Sequence, residues 1–482
     1  MISMSEELGV KVKKSENFNE WYIEVIRKSG IADYSSVSGC MVIKPYAYAI
    51  WERVQNLLNE RFKKLGVKNA YFPLLIPERL LKKEEEHVEG FSPEVAWVTI
   101  GGSSELEEKL AVRPTSETIM YESFSKWIRS WRDLPLKINQ WVNVVRWEFK
   151  NPVLFLRTRE FLWQEGHTAH ATKEEAEREV QEILEIYREV NEEYLALPSI
   201  KGRKTEDEKF AGAEYTVSIE HMMPNGRAIQ GPDSHHLGQN FSKVFDIKFF
   251  DRDENERYAW QNSWGFTTRQ LGIMFAVHGD DKGLIIPPKV APIQVVIVPI
   301  YQDENKEMVL KESKKLYEEL KDKFLIHLDD RDEYTPGFKF NEWELKGVPL
   351  RIEIGSRDIE KKQVVLVRRD TGEEIEVKMN IIEKEIERNL KLIQEELFNR
   401  AKKFVHTHIK EVNRYEDIKR VINKKWALSG WCGDPVCEKK IKDETTAKII
   451  TIPFDLNKKS PDGQCVVCGK PAKYMVYIAK SY

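Results

Sequence analysis

The sequence predicts an α/β protein of three domains: a large α+β block over 1–286, an α/β block over 287–404 and a small α+β block over 405–482. Three observations predict it. Helical and strand periodicities alternate through the first two blocks, the proline-rich stretch PPKVAPIQ (287–294) separates them, and four of the five cysteines lie beyond residue 431. A length of 482 residues agrees with about three domains at roughly 150 residues each.

In the first block, residues 46–65 repeat apolar side chains at helical spacing (Ile50, Val54, Leu57, Leu58, Phe62, Leu65), and Gly66 suits a C-cap. AYFPLLIP (70–77) reads as a short strand, which Pro73 restricts to an edge or an interface. Residues 138–149 and 154–165 read as two strands joined by a short loop, 173–195 as a charged amphipathic helix, and 210–221 and 227–241 as further strand and turn segments. In the second block IQVVIVPI (293–300) is a continuous apolar run, the pattern of a strand buried on both faces. A helix (306–323), three strand segments (LIHLDD, PLRIEIG, VVLVRRD) and a long charged helix (381–404) follow, which implies a parallel or mixed sheet with helices packed on it.

Composition excludes several classes. Hydrophobic residues make up 41% and aromatics 11%, so the chain folds rather than remaining disordered. The net charge of −3 excludes a globally basic nucleic-acid binder, but not a local basic face. The N-terminus has no apolar core like that of a secretory signal, and the longest apolar runs fall far short of the ~20 residues of a membrane span. A soluble, cytoplasmic protein in a reducing compartment is expected.

The sharpest local signal is Cys432-x4-Cys437 followed by Cys465-x2-Cys468. Two short-spaced thiolate pairs supply the four soft ligands of a tetrahedral zinc site, and Gly433 and Gly469 suit the turns that such pairs need. Four protein ligands leave no open position, so the metal would be structural. The alternative is four unligated thiols.

Arginines among aromatics and carboxylates recur in the first block. VVRWEFK sets Arg146 two residues from Glu148, on one face of the expected strand; FLRTREF presents Arg157 and Phe161; SWGFTTRQLG carries Arg269. Three fixed guanidiniums around one pocket suit a triphosphate, whereas each arginine alone reads as an ion pair. Neither a Walker A motif nor a Rossmann glycine fingerprint is present. AVRPTSE and GPDSHHLGQNF carry Thr115, Glu117 and His235, which suit hydrogen bonds to a small zwitterion or, equally, plain turn chemistry.

With these motifs in place, the sequence resembles the class II aminoacyl-tRNA synthetases, and among them the prolyl-tRNA synthetases of the archaeal/eukaryotic type. The resemblance covers almost the whole chain. The helix and strand ending at Pro73 resemble motif 1, which in the family forms a homodimer interface. Arg146-x-Glu148 with Arg157-x3-Phe161 resembles motif 2, and the segment ending at Arg269 resembles motif 3. RPTSE, SGCMVIKPYAYAIWE, FLWQEGHTAH and GQNFSKVF resemble the stretches that select proline. Two departures stand out. Only Gly265 and Gly272 flank the motif 3 arginine, and Asp233 occupies a place where a threonine is expected near ATP.

The resemblance implies a class II antiparallel sheet flanked by helices, then an anticodon-binding domain with a mixed sheet, then a zinc-containing C-terminal domain. It implies ATP-dependent attachment of L-proline to tRNA(Pro) through prolyl-adenylate, with Mg2+ accompanying ATP. Arg146 and Arg269 are then the catalytic residues. ATP would be held by Arg146, Glu148, Arg157, Thr158, Phe161, Gln230, Asp233, Thr267 and Arg269. Proline would be held by Thr115, Glu117, Arg146, Trp163, Glu165, Phe210 and His235. Glu344 and Arg351, in FKFNEWELKGVPLRIEIG, would read the anticodon. The stretch 170–227 is too short for a large editing insertion, so misactivation of alanine and cysteine is expected. Two rivals remain open here: another class IIa synthetase, specific for threonine, serine, glycine or histidine, and a synthetase-like sensor that no longer catalyses.

Overall fold

The computed structural model of the chain describes residues 9–87, 94–148, 151–458 and 461–482. Near the N-terminus, α1 (Phe18–Lys28) begins at Asn17, whose side chain accepts from the Glu20 N–H at 3.3 Å, and α2 (Pro45–Lys64) begins at a proline. The predicted apolar stripe of α2 is the buried one, with Ile50, Val54, Leu58 and Phe62 in the core.

The stretch expected as one strand over 70–77 is instead a crossing between two sheets. β1 (Lys68–Asn69) runs parallel to a strand of the main sheet, whereas Leu75–Pro77 pairs with Ser104–Val112 in a separate three-stranded sheet that also holds Trp97–Gly101. Pro73, which has no N–H to give a ladder, lies in the unpaired link.

The main sheet then assembles from α3 (Glu117–Trp127), β2 (Leu136–Val145), β3 (Glu160–His170), α4 (Lys173–Glu189), β4 (Ile200–Arg203), β5 (Tyr215–Met222), β6 (Ala228–Gly238), β7 (Trp260–Thr267) and α5 (Arg269–His278). β2 and β3 pair antiparallel from Leu136↔Ala169 to Val145↔Glu160. This pair is shorter than the sequence predicts, because the chain leaves β2 at Val145, turns at Trp147–Glu148, and rejoins only at Glu160. Between them Val153 and Arg157 pair across a tight reversal at Phe155 (φ 62°), with Leu154, Phe155 and Leu156 buried in the core. Burial of that apolar tip draws the loop inward, so Arg146, Glu148 and Arg157 sit beyond the strand ends rather than on strand faces.

The second block holds β8 (Val295–Ile300), α6 (Lys306–Leu320), β9 (Ile326–Leu328), α7 (Pro336–Lys346), β10 (Leu350–Gly355), β11 (Gln363–Arg368), β12 (Glu374–Lys378) and α8 (Ile382–Thr407). Its sheet runs β9-β8-β10-β11-β12, parallel among the first three strands and antiparallel after them. This is the mixed sheet that the alternating pattern predicts. Helix α8 runs continuously through residues 404–405.

The third block contributes β13 (Ile409–Glu411), β14 (Trp426–Trp431), α9 (Pro435–Thr445), β15 (Lys448–Pro453) and β16 (Tyr474–Ala479). Its strands extend the main sheet: β15 pairs with β4, giving the eleven-stranded order β13-β14-β16-β15-β4-β5-β6-β7-β3-β2-β1. The chain then returns to the first block. The Ala228 N–H donates to the Lys480 carbonyl at 2.8 Å, the Tyr482 N–H to the Ala228 carbonyl at 3.1 Å, and Asn225 Nδ2 to the Tyr482 hydroxyl at 2.9 Å. Tyr482 is thus tied to the start of β6.

Candidate active site and metal centre

A cavity of about 390 Å³ opens on one face of the main sheet. Alternation along the strands builds it. Phe161, Trp163, Glu165 and His167 of β3 point into it, as do Asp233 and His235 of β6 and Ser263, Gly265 and Thr267 of β7. The even-numbered residues of β3 face α4 instead: Gln164 donates to the Tyr187 hydroxyl, and Thr168 and His170 bond Glu179.

At one end lie the residues expected to take a nucleotide. Glu148 is exposed at the rim, and Phe161, Gln230, Asp233, Thr267 and Arg269 line the wall. Arg269, at the start of α5, donates from Nε to the Leu156 carbonyl at 3.0 Å and from Nη1 to the Gln230 carbonyl at 3.3 Å. Burial, and then repulsion from Arg146 and Arg157 against attraction to Asp233, pushes its guanidinium down to about 10, so it stays charged near neutral pH. Asp233 accepts from Gln230 Nε2 at 2.6 Å, and burial that would raise its carboxyl is outweighed by His235 and Arg146, which hold it below the ordinary range.

Two expected nucleotide residues lie outside this cavity. Arg157 lines a neighbouring polar cavity of about 170 Å³, which it shares with Arg269, Gln230, Lys204, Glu220 and Tyr482. Thr158 is buried beside Phe161 and Arg269 in a small pocket.

At the other end lie the residues expected to take a small zwitterion. The Thr115 hydroxyl donates to Glu117. The Phe210 ring stacks on His235 with centroids 4.6 Å apart. His235 Nδ1 meets the Thr216 hydroxyl at 2.9 Å, and its Nε2 lies 3.3 Å from Asp233. Glu165 lines the floor, but its oxygens are engaged by the Ser116 N–H at 3.1 Å, the Ser116 hydroxyl, Gln140 Nε2 at 2.7 Å and His167 Nε2 at 3.1 Å. Ser116, Gln140 and His167 are absent from the residues expected from the sequence. His167 lies one alternation beyond Glu165 on β3, so the same period of two that points to Trp163 and Glu165 also points to it.

Arg146 stands between the two ends. Its Nε donates to the Pro114 carbonyl at 3.0 Å, and its guanidinium lies 5.5 Å from the centroid of the Phe161 ring and 5.5 Å from that of Trp163.

The anticodon candidates lie far along the chain, in the second block. On α7, Glu344 accepts from Lys282 at 2.9 Å, so its carboxylate faces the first block. On β10, the Arg351 guanidinium donates to Glu353 at 2.7 and 2.9 Å and lies 4.2 Å over the Phe340 ring.

In the third block the structure brings the four predicted cysteines together. All four sulfurs lie within 4.8 Å of one another, with Cys432 Sγ 3.7 Å from both Cys437 Sγ and Cys468 Sγ. A tetrahedron of thiolates at ~2.3 Å from a metal has sulfurs about 3.8 Å apart, so the cluster fits such an ion. Gly433 (φ 85°) and Gly469 (φ 72°) supply the positive-φ turns behind each pair. The Cys468 thiol is brought down to about 7, chiefly by the Lys470 N–H, whereas burial pushes Cys437 well up.

Comparison with known proteins matches this architecture block by block. Residues 97–278 match the tRNA synthetase class II core domain (G, H, P, S and T), residues 294–389 the anticodon binding domain, and residues 415–482 the prolyl-tRNA synthetase C-terminal domain. The chain is 52% identical over 473 residues to the proline--tRNA ligase of Natranaerobius thermophilus, covering 97% of each chain. It is 52% identical over 468 residues to that of Alkaliphilus oremlandii, covering 97% of this chain and 96% of the relative. It is 48% identical over 485 residues to the cytoplasmic proline--tRNA ligase of Arabidopsis thaliana, covering 98% of this chain and 91% of the relative. Among the described residues, no helix is long and apolar enough to cross a membrane. With the rival amino-acid specificities and the non-catalytic reading set aside by these matches, the chain belongs to the proline--tRNA ligases, enzymes of the class II aminoacyl-tRNA synthetases.

Proposed function

We propose that the 390 Å³ cavity joins ATP and proline, and that Arg146 marks the point where they react. The observation that carries this reading is the pair of equal distances from Arg146, 5.5 Å to Phe161 of the nucleotide set and 5.5 Å to Trp163 of the proline set. In the first step a proline carboxylate oxygen attacks the α-phosphorus of ATP and pyrophosphate leaves. In the second, a terminal ribose hydroxyl of tRNA(Pro) attacks the mixed anhydride and AMP leaves. The substrate brings its own nucleophile, so catalysis consists of positioning and charge stabilisation. Arg146 holds the α-phosphate and the proline carboxylate. Phe161 stacks on adenine, Glu148 takes its amino edge, and Arg269 covers the other face or reaches the γ-phosphate. Arg157 takes the γ-phosphate from the adjoining polar cavity, which shares Gln230 and Arg269 with the main one, and Thr158, Gln230, Asp233 and Thr267 are polar neighbours. Magnesium arrives with ATP and neutralises the phosphates.

Thr115 and Glu117 take the secondary ammonium, His235 helps fix its orientation, Trp163 and Phe210 wall the ring, and Glu165 braces the floor. A missing methylene changes binding by only about 1–3 kcal/mol, so alanine and cysteine are also activated. The stretch between β3 and β6 holds α4, a π-helical turn (Val190–Tyr194), β4 and β5, which supports the reading without an editing insertion.

Three domains, 1–286, 287–404 and 405–482, then divide the work into activation, anticodon reading and a C-terminal cap. Glu344 and Arg351 read anticodon bases, with Phe340 as a stacking surface. The thiolate cluster holds a structural zinc ion. A second copy of the chain covers motif 1, with exposed Tyr48 and Tyr71, and the exposed apolar side chains beside it, Leu75, Trp97, Ile100 and Trp127, and the homodimer works in the cytoplasm.

Calorimetry with a non-hydrolysable prolyl-adenylate analogue tests the site. It should bind much more tightly than proline or ATP alone, and Arg146→Ala should weaken it by about a hundredfold or more. Equal affinity for wild type and variant would remove Arg146 from the junction.

A further inference from the structure

Glu117 and Glu165 belong to a buried polar cluster whose third member, His167, has no role in the proposed reaction. His167 is 1% exposed. Its Nε2 lies 3.1 Å from Glu165 Oε2, and its Nδ1 lies 3.1 Å from the Tyr121 hydroxyl. Glu117, Glu165 and His167 present oxygen and nitrogen atoms within 4.8 Å of one another, all three side chains buried. That spacing also suits a metal ion, but Glu165 is already bonded on both oxygens by Ser116, Gln140 and His167, so the group is a hydrogen-bonded charge cluster.

Two carboxylates this close and this well buried cannot both stay ionised without a cation beside them. Each element around His167 contributes to the balance. From α3 come Glu117 and Tyr121, and from β3 comes Glu165. Arg113, just before α3, acts on Glu165, but its guanidinium is tied down by the Asn143 and Phe72 carbonyls. On the flanking strands the residues in register with His167 are Ile138 and Ser263, neither of them charged. His167 is therefore the cationic group in hydrogen-bond contact with the cluster, whereas Arg113 spends its donors on the Asn143 and Phe72 carbonyls. The doubly protonated ring also satisfies both contacts at once, donating from Nε2 to Glu165 and from Nδ1 to the Tyr121 oxygen.

We propose that His167 is a positioning residue for amine recognition, an imidazolium counter-charge that keeps Glu117 and Glu165 ionised together so that one net negative charge awaits the substrate ammonium. Burial works against the charged ring, but the two glutamates outweigh it and hold His167 above its ordinary range. With His167 charged, the cluster carries two negative charges and one positive, and the proline ammonium completes the balance. Without it, the two adjacent carboxylates lose their counter-charge, a proton shared between them takes its place as pH falls, and the site holds the ammonium less well. This inference rests on the reading of Glu117 as the amine partner.

The test is proline-dependent ATP–pyrophosphate exchange from about pH 5.5 to 8.5, with KM measured for proline and for ATP. His167→Gln keeps hydrogen bonding but not the charge. Its proline KM should rise about tenfold near pH 6 and return toward wild type near pH 8, while its ATP KM stays within about twofold. Tyr121→Phe, which removes the Nδ1 partner, should show the same acid-side rise to a smaller extent, and it serves if His167→Gln does not fold. Glu117→Gln should raise the proline KM at every pH. A proline KM for both the His167 and Tyr121 variants that follows wild type across the range, or KM values for proline and ATP that rise together without pH dependence, would overturn the role of His167. An unchanged proline KM in Glu117→Gln would instead remove the amine reading on which it rests.

Discussion

Arg269 donates to the Gln230 carbonyl across 3.3 Å, which ties the first turn of α5 to the start of β6. The bond aims a half-buried guanidinium from a rigid helix start into the end of the cavity proposed for the nucleotide. A fixed charge in such a place stabilises developing negative charge without reorganising. Arg269→Gln should therefore lower kcat for pyrophosphate exchange by about 10²–10³ while leaving the proline KM near wild type. A loss confined to KM would assign Arg269 to ground-state binding only.

The cysteine cluster predicts metal content and a stability effect. Purified protein should contain one zinc per chain by elemental analysis. Cys465→Ser should lose the metal and lower the thermal midpoint, with the loss centred on the third block, where Cys437 and Cys465 are buried in the local core. Metal-free protein with an unchanged midpoint would leave the four thiols as packing only.

Glu179 joins α4 to the back of the sheet. Burial alone would raise its carboxyl, but hydrogen bonding and charge from His170, with Lys137 and Thr168, outweigh it and hold the group down to about 2. A carboxyl depressed on folding stabilises the fold above its unfolded value of 4.5, and that stabilisation is lost as pH falls toward about 2. Glu179→Gln should cost about 3–5 kcal/mol at neutral pH, because it leaves the Lys137 ammonium and the buried groups bonded to the carboxylate, Thr168, His170 and Asn262, uncompensated. The gap in thermal midpoint between wild type and variant should narrow steadily below pH 4.5. A gap that does not change with pH would mean that packing, not charge, holds the helix there.

Tyr482 closes the polar cavity that holds Arg157 and Arg269 and is bonded to Ala228 and Asn225. Removing residues 480–482 should lower the thermal midpoint and raise the ATP KM more than the proline KM, because Gln230 lies two residues beyond Ala228 on β6. A truncated protein with native stability and ATP KM would make the docked segment dispensable.

Much of this was legible in the sequence, and the rest was lost for physical reasons. The stripe of α2, the buried run of β8 and the cysteine spacings state their structures directly, because local periodicity and ligand chemistry decide them. The loop between β2 and β3 misleads, because Leu154, Phe155 and Leu156 look like strand residues but bury a turn, and only the tertiary core distinguishes the two. For the same reason Arg157 and Thr158 fall outside the main cavity. Glu165 was readable as a site residue, but not its saturation by Ser116 and Gln140, which come from different elements. Attachment of the third block to the main sheet through β4 also depends on contacts that no local pattern encodes.

The central claim is that one cavity activates proline with ATP, with Arg146 at the junction. ATP–pyrophosphate exchange measured with each of the twenty amino acids, for wild type and Arg146→Ala, tests it most directly. Wild type should exchange strongly with proline, weakly but measurably with alanine and cysteine, and at background with the rest, while Arg146→Ala should lose the proline signal by about a hundredfold or more. Threonine- or serine-dependent exchange, or proline exchange that survives the loss of Arg146, would contradict it.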